Sequence, residues 1–350
     1  MSAGGHGEGR ADDPFCSEVA RAEAAPLGGT ASRADVWLLV EHRGPWGERA
    51  VEENDLPAAV HGWMQAQLAG LARGALTPGA TTPGAPTPGA PTPVPLTPVP
   101  PGNEAAAANR TRGLLIRQEG PDAPALACFL AIAVERRQEL YRFSVRAHEE
   151  LLALDLARML AGGELAPWRS DERLTLVCGN GRRDRCCARW GAATYRAVQQ
   201  HLGGQRAGEA WLSTHQGGHR YAATGLWLPE GVAYGFLAPE EAAPLVAARR
   251  RGALHLHCYR GRTFDAEPVQ AADAMLRQAT GEDRVTAWRL ASAQEEAPAA
   301  WRVDFNGDAH CYTVRVRRGS EEALVSCSPL KRRAIDRFEL VSWQRTEEGR

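Results

Sequence analysis

Lysine is almost missing from this sequence of 350 residues: Lys331 is the single one among 41 basic residues, and arginine supplies the rest. That imbalance reads as a coding bias toward Arg, Ala and Gly more readily than as a functional choice. An excess of either charge is missing too, with 41 basic against 42 acidic residues. Nothing at whole-chain level therefore points to nucleic acid or a membrane surface. No run approaches the ~20 apolar residues of a membrane span, and the opening MSAGGHGEGRADDPFCSEV has no apolar core of the signal-peptide kind. A cytoplasmic protein is the expectation. Cysteine is sparse: eight in a chain of this length do not make a disulfide scaffold, and in a reducing compartment clustered cysteines more often hold metal or do redox chemistry. Only Cys178, Cys186 and Cys187 cluster. Cys16, Cys128, Cys258, Cys311 and Cys327 are scattered and read as small buried hydrophobes.

The length allows two or three domains. Residues 1–32 are Gly-, Ala- and acid-rich and read as a disordered N-terminus. A first α/β unit is expected over 33–165, with the apolar run VWLLVEH at Val36–His42 as a strand, a helical pattern over Leu56–Leu71, strands at Gly113–Gln118, Ala125–Val134 and Glu139–Val145, and a helix over Ala147–Leu160. Residues 77–102 interrupt it with TPGATTPGAPTPGAPTPVPLTPVPPG, a Pro-rich disordered insertion of spacer character. Over 166–265 the order is strand LTLVC, helix Cys187–Leu202, strand EAWLS, strands TGLWL and VAYGFL, and a helix over Glu240–Arg250. That β-α-β-β-β-α succession is the order of a thioredoxin-like unit. Residues 266–345 give a helix at Pro268–Gln278 and five alternating segments, VTAWRLA, AWRVDF, CYTVRVR, EALVSC and FELVSW, which predict a small C-terminal antiparallel sheet. The fold class is α/β (α+β).

The chemistry is concentrated in two stretches. In VCGNGRRDRCCARWG, Cys178 ends a strand and Cys186 and Cys187 open a helix, across a loop whose glycines let the backbone bend around a bound object. Unsatisfied N–H groups at the helix start stabilise thiolates. In WLSTHQGGHRYA, His215 and His219 stand four apart across two glycines, so two imidazoles can reach one centre. Gln216 stands where a HExxH metalloprotease has its general-base Glu, which disfavours hydrolysis. Two cysteines and two histidines suit either tetrahedral zinc or a [2Fe–2S] cluster. Eight residues separate Cys178 from Cys187, wider than the two to four of a zinc knuckle, and the wider loop favours the larger object.

The motifs CGNGRRDRCCARWG, WLSTHQGGHRYAATGLWLPEGVAYG and VWLLVEHRGPWG resemble the sucrase/ferredoxin-like family over about residues 33–262. The resemblance implies a thioredoxin-like [2Fe–2S] ferredoxin domain with Cys-x8-Cys and His-x3-His ligands, which fall on Cys178, Cys187, His215 and His219. Such a domain is expected to be a one-electron carrier with an unidentified redox partner or reductase, and the second ring nitrogen of a histidine ligand would tie its reduction to proton uptake. No acidic pair near these segments supports a sucrase activity.

Three residue groups stay open at this level. Cys186 is a spare core thiol, a substitute for Cys187, or half of a vicinal redox pair with it. Arg182, Arg183, Arg185, Arg189 and Arg220 either rim the site for an acidic partner or are solvated loop residues. Cys258, beside His255 and His257, is a second metal site or part of an ordinary strand. The competing functions are a structural zinc module that binds partners and a thiol oxidoreductase using Cys186 and Cys187, the latter weakened by the absence of Cys-x-x-Cys.

Overall fold

The structure, a computed structural model, describes residues 14–74, 109–120, 123–203, 208–327 and 330–347. The Pro-rich insertion of 77–102 lies outside the described residues. Ten strands form one mixed sheet: β1 (Val36–Glu41), β2 (Thr111–Arg117), β3 (Leu126–Val134), β4 (Arg137–Val145), β5 (Arg169–Ser170), β6 (Leu174–Cys178), β7 (Ala210–Ser213), β8 (Gly225–Leu228), β9 (Val232–Tyr234) and β10 (Tyr259–Arg262). Their order is β10-β9-β8-β6-β7-β2-β1-β3-β4-β5. β1 is buried throughout, and its alternation splits it between two core layers, with Val36, Leu38 and Val40 on one side and Trp37 and Leu39 on the other.

The sheet is built twice from one plan. β1 runs parallel to β2 across helix α2 (Ala58–Arg73) and antiparallel to β3, which pairs with β4. β6 runs parallel to β7 across helix α4 (Arg185–Leu202) and antiparallel to β8, which pairs with β9. Each half then adds a helical segment, α3 (Leu156–Ala161) or α5 (Ala242–Arg250), and a final antiparallel edge strand, β5 or β10. The halves meet where β2 and β7 pair antiparallel through Ile116↔Ser213 and Arg117↔Leu212. The second half has the strand and helix order expected of a thioredoxin-like unit.

Helix α6 (Glu267–Thr280) packs on a separate four-stranded antiparallel sheet, β11 (Trp288–Ala297), β12 (Ala300–Gly307), β13 (His310–Cys327) and β14 (Leu330–Glu347), in that order. Val269, Ala272 and Leu276 close a core with Trp288, Phe305, Val314 and Val316. The long β13–β14 hairpin reaches back to the large sheet, where Leu324 and Cys327 pack beside Cys186 and Ala222.

Three sequence expectations need correction. Order begins before residue 33: α1 (Cys16–Ala22) buries Cys16, Ser17 and Ala20, and composition hid it because the helix is only seven residues long. The helix expected over Ala147–Leu160 is two pieces, a 3-10 turn at His148–Ala153 and α3, because the Asp155 side chain accepts from the Arg158 backbone N–H at 3.1 Å and restarts the chain as a cap. CYTVRVR and EALVSC are one strand, β13, carried through the polar residues between them by continuous pairing with β14.

Candidate metal centre

Cys178 closes β6, and α4 sets the space around it. A Cβ on Gly191 would overlap the Cys178 carbonyl oxygen and lie 2.9 Å from Gly179 Cα, so the helix crosses the strand end at a distance that only glycine permits. Asp184 caps α4, its Oδ1 accepting from the Cys186 backbone N–H at 2.9 Å. With the start of the helix fixed, Cys187 faces the strand, its Sγ 3.5 Å from Cys178 Sγ. One residue is about 100° of helical turn, and Cys186 consequently faces elsewhere.

The histidines sit on the connection after β7. Gly217 and Gly218 take φ of +98° and +77°, turning the chain so that His219 opens a short 3-10 turn. Gln216 braces this bend: its Nε2 donates to Ser213 Oγ at 2.7 Å, while Arg112 Nη1 donates to its carbonyl oxygen at 3.1 Å. His215 Nδ1 lies 4.0 Å from Cys178 Sγ, and the His215 and His219 rings are 5.2 Å apart with a tilt of 34°. His219 Nε2 is 2.5 Å from the Val325 carbonyl oxygen on β13, and its Nδ1 is buried without a hydrogen-bond partner. Cys178, Cys187 and His215 offer ligand atoms within 4.8 Å of one another; His219 is not part of that group and reaches it only through its ring, which stands against His215.

The electrostatics act unequally on the two thiols. Hydrogen bonding between them holds Cys178 well below the ordinary thiol value, against its burial, and raises Cys187 in turn. Burial pushes the His219 imidazole down, which keeps it neutral as a ligand must be. The first half of the sheet supplies the cover. Asn180 Nδ2 donates to the Gly47 carbonyl oxygen at 3.2 Å and Arg183 pairs with Glu48 at 2.9 Å, both on the segment after β1. Cavities of about 330 Å³ and 320 Å³ open at His215 and at His219, with Glu48 and Arg183 in the wall of each.

The remaining predicted residues lie as follows. Cys186 Sγ is 3.4 Å from both Cys16 Sγ and Cys327 Sγ, so it offers no sulfur to the Cys178 group and is no substitute for Cys187. Arg220 is 4% exposed, over the Tyr221 ring, and cannot face a partner. Arg189 pairs with Glu18 at 2.9 Å and Arg185 stacks over Phe15 at 4.8 Å. Arg182 is exposed beside a cavity lined by Pro45 and Trp46. The HLHC segment is a 3-10 turn, Leu256–Cys258, and no strand; Glu241 completes a group with His255 and Cys258, while the side chain of His257 is 73% exposed. Sequence reasoning missed Asp184, Gly191, the Gly47–Glu48 cover and the convergence of Cys16 and Cys327 on Cys186. Only Asp184 had a signal, as a capping residue before a helix.

A mixed α/β protein with buried sulfurs and paired imidazoles at the carboxyl ends of two parallel strands has the donor set of a metal-binding protein. The chain belongs to the sucrase/ferredoxin-like family, whose model matches residues 27–261. No curated protein and no solved structure matches it at a significant level. Among the described residues no helix is long and apolar enough to cross a membrane.

Proposed function

We propose that this chain is an electron carrier holding one [2Fe–2S] cluster, with Cys178 and Cys187 on one iron and His215 and His219 on the other. One observation carries the reading. Two buried thiol sulfurs lie 3.5 Å apart beside two imidazoles, one of which has a buried nitrogen with no partner. Thiolates ~2.3 Å from a tetrahedral metal stand about 3.8 Å apart, close to the sulfur separation here. The Cys178 and Cys187 separation is also too long for a disulfide, and the thiol oxidoreductase reading loses ground because Cys186 and Cys187 point into different groups.

When bound, such a cluster supplies one-electron transfer at roughly −150 to +300 mV, above the about −400 mV of all-cysteine plant-type ferredoxins. The Val325 carbonyl oxygen fixes the His219 ring by accepting a hydrogen bond from Nε2–H, which would leave Nδ1 as the ligand atom. The second ring nitrogen of a histidine ligand would carry a proton that is held more tightly when the cluster is reduced. The potential therefore falls as pH rises. A redox partner approaches through the cavity mouths, where Arg183, Lys331 and Arg333 stand near His219.

The test is iron and acid-labile sulfide analysis of anaerobically purified protein, with EPR after dithionite reduction. Two irons and two sulfides per chain, and a lower, pH-independent potential in a His215→Cys/His219→Cys variant, support the reading. Iron-free protein with zinc on these four residues overturns it.

A further inference from the structure

A second group of metal-ligating atoms lies on the far side of the α4 start, and its members come from three distant parts of the chain. Cys16 is on α1, Asp184 and Cys186 are at the start of α4, and Cys327 ends β13. All four are buried, with at most 0% exposure each. Their ligand atoms lie within 4.8 Å of one another: Cys186 Sγ is 3.4 Å from each of the other two sulfurs, and Asp184 Oδ1 is 2.9 Å from Cys327 Sγ. We propose that Cys16, Cys186, Cys327 and Asp184 hold one tetrahedral zinc ion, separate from the Cys178 group and independent of what that group binds.

The geometry carries this in three ways. First, the sulfurs are too far apart for a disulfide, which needs ~2.05 Å, yet within a few tenths of an ångström of the about 3.8 Å that two thiolates take on one tetrahedral zinc. Two thiolates this close also fit one iron of a cluster, but Cys186 Sγ is equally close to both other sulfurs, and three thiolates about one centre fit a single ion. Second, Asp184 is a fully buried carboxylate with no Arg or Lys paired to it among the described residues and only the imidazole of His219 within ion-pair reach, at 3.7 Å, and a buried charge without a full counter-charge is costly. A divalent cation answers that cost. Third, the donors are already oriented by backbone and hydroxyl groups: Ser17 N–H donates to Cys186 Sγ at 3.5 Å, and Ser326 Oγ and Cys327 N–H donate to Asp184 Oδ2 at 3.1 Å and 3.3 Å. Such outer partners are what tuned metal ligands carry. Three thiolates and a carboxylate are a soft, anionic set that selects zinc over magnesium or calcium. On binding, the thiols release their protons, so affinity rises with pH.

Cys16 and Cys327 both lie outside residues 27–261, so the family match does not supply this site. Its role is a clamp: it ties α1 and the β13 end to the α4 start and thereby holds Val325 against His219.

The experiment is elemental analysis and zinc X-ray absorption on the anaerobically purified full chain. One zinc per chain with three sulfur neighbours and one oxygen is expected. Cys16→Ser and Cys327→Ser variants should lose that zinc while keeping iron and sulfide, and a Cys178→Ala/His215→Ala variant should keep zinc while losing iron. Cobalt(II) added to the latter should give the charge-transfer bands of a three-thiolate site, a readout that needs no iron. Wild-type protein without zinc even after incubation with it, a disulfide joining Cys16, Cys186 or Cys327 in anaerobic protein, or zinc retained in the Cys16→Ser/Cys327→Ser double variant overturns the proposal. Zinc found with two sulfurs and two nitrogens overturns it too, and in that case the electron-carrier reading fails with it.

Discussion

The two halves of the large sheet share a plan and differ in chemistry. Both run strand, helix, parallel strand, hairpin, helix and edge strand, and they join edge to edge through β2 and β7. In the second half the first strand ends on Cys178 and the connection after its parallel partner carries His215 and His219. In the first half the corresponding strand ends on Glu41, with His42 next, and the segment that follows spends its polar groups on covering the other half's site. The framework is chemically neutral. What makes a site is the content of the short connections at the carboxyl ends of the parallel strands, the same place where open α/β sheets put ligands.

Alanine at one glycine on each of the two equivalent helices should separate the halves by the widest margin. Gly191→Ala on α4 forces a methyl into the Cys178 carbonyl and should cost about 3 kcal/mol or more, with metal lost. Gly62→Ala on α2 meets nothing within 4 Å and should stabilise by up to about 1 kcal/mol through helix propensity. Urea melts with metal analysis on both variants check this, and equal effects would mean the two helices are packed alike.

Buried cysteines give the next contrast. Cys178→Ala should abolish iron binding. Cys128→Ala, in β3 of the first half, removes a thiol that burial pushes up to about 12 and that serves only as packing; it should cost about 1 kcal/mol and leave metal content alone. Iron loss in the Cys128 variant would show that the first half holds part of the centre.

Acid reads out the histidine at the end of β1. Burial holds His42 below the ordinary imidazole value, with Asp55 acting against it. The unfolded chain therefore takes up a proton that the folded chain resists. The stability this gives is present above about pH 6.5 and is lost as pH falls from there through the lower folded-state value, at no more than about 1.4 kcal/mol per pH unit. In metal-free protein, His42→Gln should flatten the pH dependence of denaturant midpoints between pH 7 and 5 without removing the part due to His219, which burial also lowers. The smallest effect belongs to the bridge between halves: Arg183→Gln breaks an exposed pair with Glu48 and should cost about 0.5 kcal/mol, vanishing at high salt.

Local signals carried most of this to the reader of the sequence. The apolar run at Val36 is β1 to within a residue, Cys178 does end a strand, and Cys187 does sit in the first turn of a helix. The duplication was not legible because its hairpins differ in length, nine residues per strand in β3 and β4 against four and three in β8 and β9, and because one half has no ligands to repeat. Cys186 could be read three ways until its partners were visible, and those stand 170 and 141 residues away. No periodicity encodes a contact of that range.

The meeting of Cys16 with Cys327 also sets an order of events. Contacts far apart in sequence form late, after the loops between them have closed. During synthesis α1 precedes both halves of the sheet and the final hairpin, and its cysteine stays unshielded until the end of β13 has emerged. Helix α1 therefore docks only after the end of β13 has been made.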